Sequence, residues 1–238
     1  MANVIELRTL LVTLDSVLAD TITNISRELS IDVQTSTSVG EVPEELASTK
    51  YEALFLDFDT VTETAPILDI LRGSPSNRPA LIFAVATGAA QKQQALQQGA
   101  NFVLERPLAA AEVRRSLYAA YDLMARERRR YFRYSVEYPL LLERSGSGTD
   151  LSCNTINISN SGLAVSTPST LLPGERINLV LLLREPELAV RGAGSVVWDD
   201  RHGKAGINFQ CASPAGQVAF NSWLDSRFSA LLRPSHQS

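Results

Sequence analysis

Apolar residues in the first half of the chain fall into short unbroken runs separated by segments of helical period. Residues 8–13 (RTLLVT) read as a buried strand, and the next segment sets Leu18, Ile22, Ile25 and Leu29 on one helical face. The alternation then persists. Strands are expected at 31–35, 53–57, 80–85 and 102–104, with helices after Pro43, at 65–71, at 89–98 and from Ala109 toward Arg126. Five strand–helix units of this length imply a doubly wound parallel sheet with helices on both faces.

The second half changes period. Residues 134–143, 151–158, 163–167, 177–184, 188–198 and 205–209 read as about six short strands. Turn signals at 145–149 (SGSGT), Pro173-Gly174 and 201–203 separate several of them. Pro139 places an edge or a bulge in the first strand. Strands of this spacing suggest a small antiparallel β-barrel. Helical period returns at 214–231, where Val218, Trp223, Leu224 and Phe228 face one side and would pack on the barrel; residues 234–238 are expected to fray. The expected domains are 1–125 and 126–238.

Composition narrows the class. At 238 residues the chain exceeds one ordinary domain, and 45% hydrophobic with 20% charged residues suits globular folding. No apolar run approaches the roughly 20 residues of a membrane helix, so no span is expected. Residues 1–6 lack the basic segment and apolar core of a signal peptide, which points to the cytoplasm. Cys153 and Cys211 sit in no metal or disulfide pattern and read as reduced small hydrophobes.

The net charge of -4 hides an asymmetry: residues 1–125 carry 9 basic and 16 acidic side chains, whereas 126–238 carry 13 and 10. The net of +3 in the second half is too small for a broad nucleic-acid surface, and its clustering suits a compact anion. Five of the eight residues 126–133 are arginines. Cations closing a helix meet its dipole favourably, but this density also makes an anion site, because a guanidinium fork chelates phosphate or a guanine edge and stacks on a base.

A second stretch, residues 157–162 (NISNSG), has the form (Asp/Asn)-x-Ser-x-x-Gly and lies 24 residues beyond Arg133. With Arg128, Arg129 and Arg133 filling RRxxxR, and Asn157, Ser159 and Gly162 filling the second pattern, residues from about 126 to 232 resemble the PilZ domain. Gly194-Ser195-Val196-Val197-Trp198 and Gly206-Ile207-Asn208-Phe209 are similar to that family's late barrel strands. The resemblance implies a bacterial second-messenger protein that binds cyclic di-GMP through those six residues. Asn157 and Ser159 would meet guanine edges. Gly162 would either turn in a conformation awkward for other residues or let the ligand approach the backbone. Trp198 and Tyr131 read as core or rim aromatics, and His202 and His236 fall in a turn and a tail.

The first half resembles, in layout, the receiver domain of two-component systems, with Asp57 ending the third strand and Arg106-Pro107 after the fifth. Its chemistry departs. Thr13-Leu14 stand where an acidic pair would hold Mg2+, Asp15 comes one residue late, Ala84 stands where a Thr or Ser hydroxyl is expected, and Arg106 replaces a lysine. Asp57 then reads as a strand-end carboxylate partly exposed beside Asp59, not as a phosphorylation site, and residues 1–125 as a pseudo-receiver.

No Walker loop, nucleophile elbow or metal-spaced His cluster occurs, so neither an enzyme nor a cofactor or metal is expected. The expectation is a non-enzymatic effector that binds cyclic di-GMP and acts on an unidentified downstream protein. The alternatives are a PilZ-type interaction module that no longer binds nucleotide, and an active phospho-receiver with a barrel output. Oligomeric state stays open, a homodimer included.

Overall fold

The computed structural model describes residues 5–144 and 150–232. The turn expected at 145–149 and the end expected to fray at 234–238 lie outside these residues. The chain divides into two compact units, one running to Arg130 and the other from Tyr131 to Leu231.

The first unit contains β1 (Leu7–Val12), α1 (Ser16–Glu28), β2 (Ile31–Ser36), α2 (Val42–Ser48), β3 (Ala53–Asp57), α3 (Thr64–Gly73), β4 (Leu81–Ala86), α4 (Gly88–Gln97), β5 (Phe102–Glu105) and α5 (Ala110–Arg130). The strands form one parallel sheet in the order β2-β1-β3-β4-β5. That is the doubly wound layout of receiver-like folds, in which the order reverses beside β1. Successive strand residues point to opposite faces. Leu10, Leu54, Leu56 and Ile82 pack with Val42, Leu46, Ile67 and Leu71 on one face. Leu11, Phe55, Phe83 and Val85 pack on the other with Leu18, Ile22, Ile25 and the α5 stripe Val113, Leu117, Ala120 and Met124. The helix α5 runs four residues past Arg126, since no Gly or Pro interrupts it and the buried stripe continues one turn further to Glu127.

The second unit contains β6 (Tyr134–Ser135), β7 (Pro139–Arg144), β8 (Asp150–Ser159), β9 (Gly162–Ser166), β10 (Arg176–Leu183), β11 (Leu188–Asp199), β12 (Lys204–Cys211) and α6 (Pro214–Leu231). Antiparallel pairing runs β7-β8-β9-β12-β11-β10 and back to β7, which closes a six-stranded barrel and leaves none of the six with a free edge.

The single strand expected at 134–143 is two. Pro139 has no N–H to donate, and the intervening backbone is held sideways: Thr155 Oγ1 donates to Val136 O at 2.6 Å and accepts from Tyr138 N at 3.0 Å. The piece β6 adds to β8 outside the ring.

The helix α6 buries Phe220, Trp223, Leu224 and Phe228, whereas Val218, expected on that face, is exposed. Spacings of three, one and four keep the first set on one stripe; Val218 lies five before Trp223 and falls off it. The Trp223 indole N–H donates to Arg184 O at 2.9 Å, and Phe209 meets Phe220 edge-on at 5.3 Å.

Candidate functional site

The PilZ-like residues of the second unit converge. Arg133, Asn157, Ser159 and Gly162 line one cleft of about 420 Å3 with Ser161, Trp198 and Asn208. This volume lies in the range of small-molecule sites. Arg133 is exposed but set on fixed backbone. Phe132 before it is buried and meets Phe228 edge-on at 5.3 Å, and Tyr134 after it pairs with Ile158 in β8.

The NxSxxG stretch is the β8–β9 hairpin itself. Ser159 pairs with Gly162 across a two-residue turn, Asn160-Ser161, and Ser159 Oγ donates to Gly162 O at 3.0 Å. Ser159 is therefore buried, and its hydroxyl closes the turn. Of the two reasons expected for Gly162, an awkward backbone conformation does not hold, since its φ is not positive; a Cβ there would come within 2.7 Å of Ile207 O, so the close passage of β12 leaves room only for glycine. Asn157 follows a bulge at residues 155–157 of β8. Bulges re-aim side chains beside sites.

Trp198 was not among the expected site residues and belongs in it. A bulge between Val196 and Trp198 breaks the alternation of β11, so that Val197 and Trp198 are both exposed. The indole then lies flat over Gly206, where an added Cβ would come within 2.0 Å of its Nε1. The result is a large aromatic face, 44% exposed, on the wall of the cleft. A Trp on one strand facing a glycine on the next carries no local signal, so only the bulge and the register reveal it.

Arg128 and Arg129 lie on α5, in the first unit. The Arg128 guanidinium stands 3.8 Å from the Glu52 carboxylate, and burial lowers the pKa of Arg129. The RRxxxR pattern thus spans the division between the two units.

The first unit also carries an acidic pocket beyond β1 and β3, and a cation fills it. Arg106 reaches Asp15 Oδ2 at 2.7 Å, Asp57 Oδ2 at 2.9 Å and Asp59 Oδ2 at 3.0 Å. Asp57 is fully buried, not partly exposed as expected, because Thr13 and Thr60 hydroxyls also donate to its Oδ2, each at 2.7 Å. Ala84 is interior to β4; the hydroxyl beyond the strand end is Thr87, which donates to Asp59 at 2.9 Å. Asp15 caps α1 through Val17 N and Leu18 N. Its pKa is lowered, chiefly by the Arg106 hydrogen bond. Burial alone would lower Arg106, but the hydrogen bond to Asp15 and the charges of Asp57, Asp15 and Asp59 outweigh it and hold its proton more tightly.

A guanidinium bridging three carboxylates takes the place where Mg2+ would neutralise phosphoryl charge. Incubation with a small phosphodonor and Mg2+ is therefore expected to leave the intact mass unchanged. A gain of one phosphate, lost in Asp57→Asn, would contradict this.

Residues 127–220 match the family model of the PilZ domain, a span that includes all six pattern residues. No curated protein matches the chain. Among solved structures, the receiver domain of a sensor histidine kinase from Pseudomonas aeruginosa PAO1 is 23% identical, over 48% of this chain and 97% of that one, with a TM-score of 0.44. A CheY-like receiver domain from Methanospirillum hungatei JF-1 is 17% identical over 52% and 99%, with a TM-score of 0.44. The Bacillus subtilis inhibitor of motility is 17% identical over 42% of this chain and about half (51%) of that one, with a TM-score of 0.36. The chain combines a receiver-like α/β unit with a PilZ domain, and among the described residues no helix is long and apolar enough to cross a membrane.

Proposed function

We propose that the chain is a non-enzymatic cyclic di-GMP effector of the bacterial cytoplasm, whose PilZ domain captures the nucleotide and passes its level on to a downstream protein. The observation that carries this reading is the convergence of Arg133, Asn157, the Ser159–Gly162 turn and Trp198 on one open cleft in a span that matches the PilZ domain.

Each part answers a feature of the ligand. Arg133 offers a planar fork for a phosphate or for guanine O6 and N7, and Asn157 offers an amide for a guanine edge. The Trp198 face can stack one guanine, a contact worth about 1–3 kcal/mol per base. Arg128 and Arg129, which fill the rest of the RRxxxR pattern, are the further candidates for phosphate or guanine contact. Micromolar affinity requires about 8 kcal/mol, and charge-assisted hydrogen bonds of about 1.5–3 kcal/mol each with one stacked base reach it after ordering costs.

Both tryptophans, Trp198 and Trp223, lie in the second unit, and Trp223 is buried. Cyclic di-GMP should therefore quench tryptophan emission chiefly through Trp198. Trp198→Phe should abolish most of the quenching and bind more weakly by severalfold, and Trp198→Ala should weaken binding further. Undiminished quenching in Trp198→Phe would contradict this placement of the base.

A further inference from the structure

Among the described residues, four asparagines stand on strands of the second unit, and the two outside the cleft are occupied. Asn154 Nδ2 donates to Glu137 at 3.0 Å, and Asn178 Nδ2 donates to Glu143 at 3.3 Å. Asn157 and Asn208 line the cleft, and their side chains make no hydrogen bond among the described residues. Asn157 has a place in the reading above; Asn208 has none. Ile207 and Phe209 on either side of Asn208 are buried in the barrel, so Asn208 faces outward and is exposed. Its partners across the two ladders are Gly162 on β9 and Ser195 on β11. One has no side chain and the other a short one, which leaves the amide clear in the cleft.

Trp198 pairs with Gly206, two residues back along β12 on the same face. Asn208 is thus its diagonal neighbour, and such neighbours lie about 7–8 Å apart, within reach of an aromatic side chain. A base stacked on the exposed indole face turns an edge toward Asn208. The amide suits a guanine edge, since it donates through Nδ2 where O6 accepts and accepts through Oδ1 where guanine N–H groups donate. No carboxylate lines the cleft among the described residues, so none competes for the amide or repels the phosphates. We propose that Asn208 is a further base-reading residue, whose amide hydrogen-bonds the edge of the guanine that stacks on Trp198. The inference rests on the cyclic di-GMP reading. Trp198 then supplies stacking that any base accepts, and Asn208 supplies an edge contact that depends on the base.

The test is calorimetric titration of the full chain with cyclic di-GMP, beside thermal melts, as wild type, Asn208→Ala, Asn208→Leu, Trp198→Ala and the Trp198→Ala, Asn208→Ala double variant. Asn208→Ala is expected to bind about fivefold to tenfold more weakly, the size of a neutral hydrogen bond, with an unchanged melting midpoint. Asn208→Leu keeps the bulk without the amide and should lose as much. In the Trp198→Ala background, removing the amide should cost less than twofold, because the base it meets is no longer held. A wild type that binds while Asn208→Ala binds equally well would overturn the proposal, as would a loss of the same size with and without Trp198. No binding by the wild type would overturn the cyclic di-GMP reading and this inference with it. If the variants melt early, the wild type itself decides: saturating cyclic di-GMP should move the side-chain amide resonances of Asn208 and leave those of Asn154 and Asn178 in place. Asn208 resonances that stay put in a chain that binds would overturn the proposal.

Discussion

Arg133→Ala is expected to weaken cyclic di-GMP binding by roughly tenfold to more than a hundredfold, about 1.5–3 kcal/mol, without lowering the thermal midpoint of the barrel. The two halves of this expectation have separate causes. The loss follows from removing a fork that can make two charge-assisted hydrogen bonds to one anion. The intact fold follows from the neighbours, because Phe132 against Phe228 and Tyr134 against Ile158 hold the segment whatever occupies position 133. Arg133→Lys retains the charge but not the planar fork and should recover only part of the loss. Arg129→Ala is expected in the same range as Arg133→Ala. Titration by calorimetry beside thermal melts separates binding from folding, and an Arg133→Ala chain that binds as well as wild type would remove this residue from the site.

The second large effect is on stability. Arg106→Ala should destabilise the receiver-like unit by about 3–5 kcal/mol, the cost of breaking a buried ion pair from one side. Asp57 has no exposure to water, and without Arg106 its charge would rest on neutral donors, the hydroxyls of Thr13 and Thr60 and the Asp59 N–H. Asp57→Asn in the Arg106→Ala background removes the stranded charge and should restore a good part of the loss, the sign that identifies charge and not volume as the cause. Tryptophan emission follows only the second unit, since both indoles are there. Hydrogen exchange at β1, β3 and β4 amides is therefore the readout. If Arg106→Ala exchanges like wild type in those strands, the guanidinium is not what keeps Asp57 buried.

Local periodicity made most of the architecture legible. Leu18, Ile22, Ile25 and Leu29 repeat at helical spacing and are all buried, and the strand starts and ends lie within two residues of expectation except where 134–143 divides. That division, like the loss of Val218 from the buried face of α6, follows from tertiary contacts that no window of sequence contains. The candidate site was half legible. Arg133, Asn157, Ser159 and Gly162 stood out as a spaced pattern and do share a cleft, but the reasons for Ser159 and Gly162 lie in a turn hydrogen bond and the approach of β12. Trp198 became visible only through a bulge and a facing glycine. Arg106 read as an absent lysine, although it is a cation shared by residues 15, 57 and 59, which only the fold brings together.

Whether the cleft of the PilZ domain takes cyclic di-GMP is decided by calorimetric titration of the wild-type chain at tens of micromolar nucleotide. A saturable heat with micromolar or tighter affinity is expected, in which GTP competes poorly because it lacks the second guanine and the cyclic arrangement of two phosphates. Absence of any binding heat, with Arg133→Ala and wild type indistinguishable across several temperatures, would contradict the claim and leave the barrel as a module for protein contacts alone.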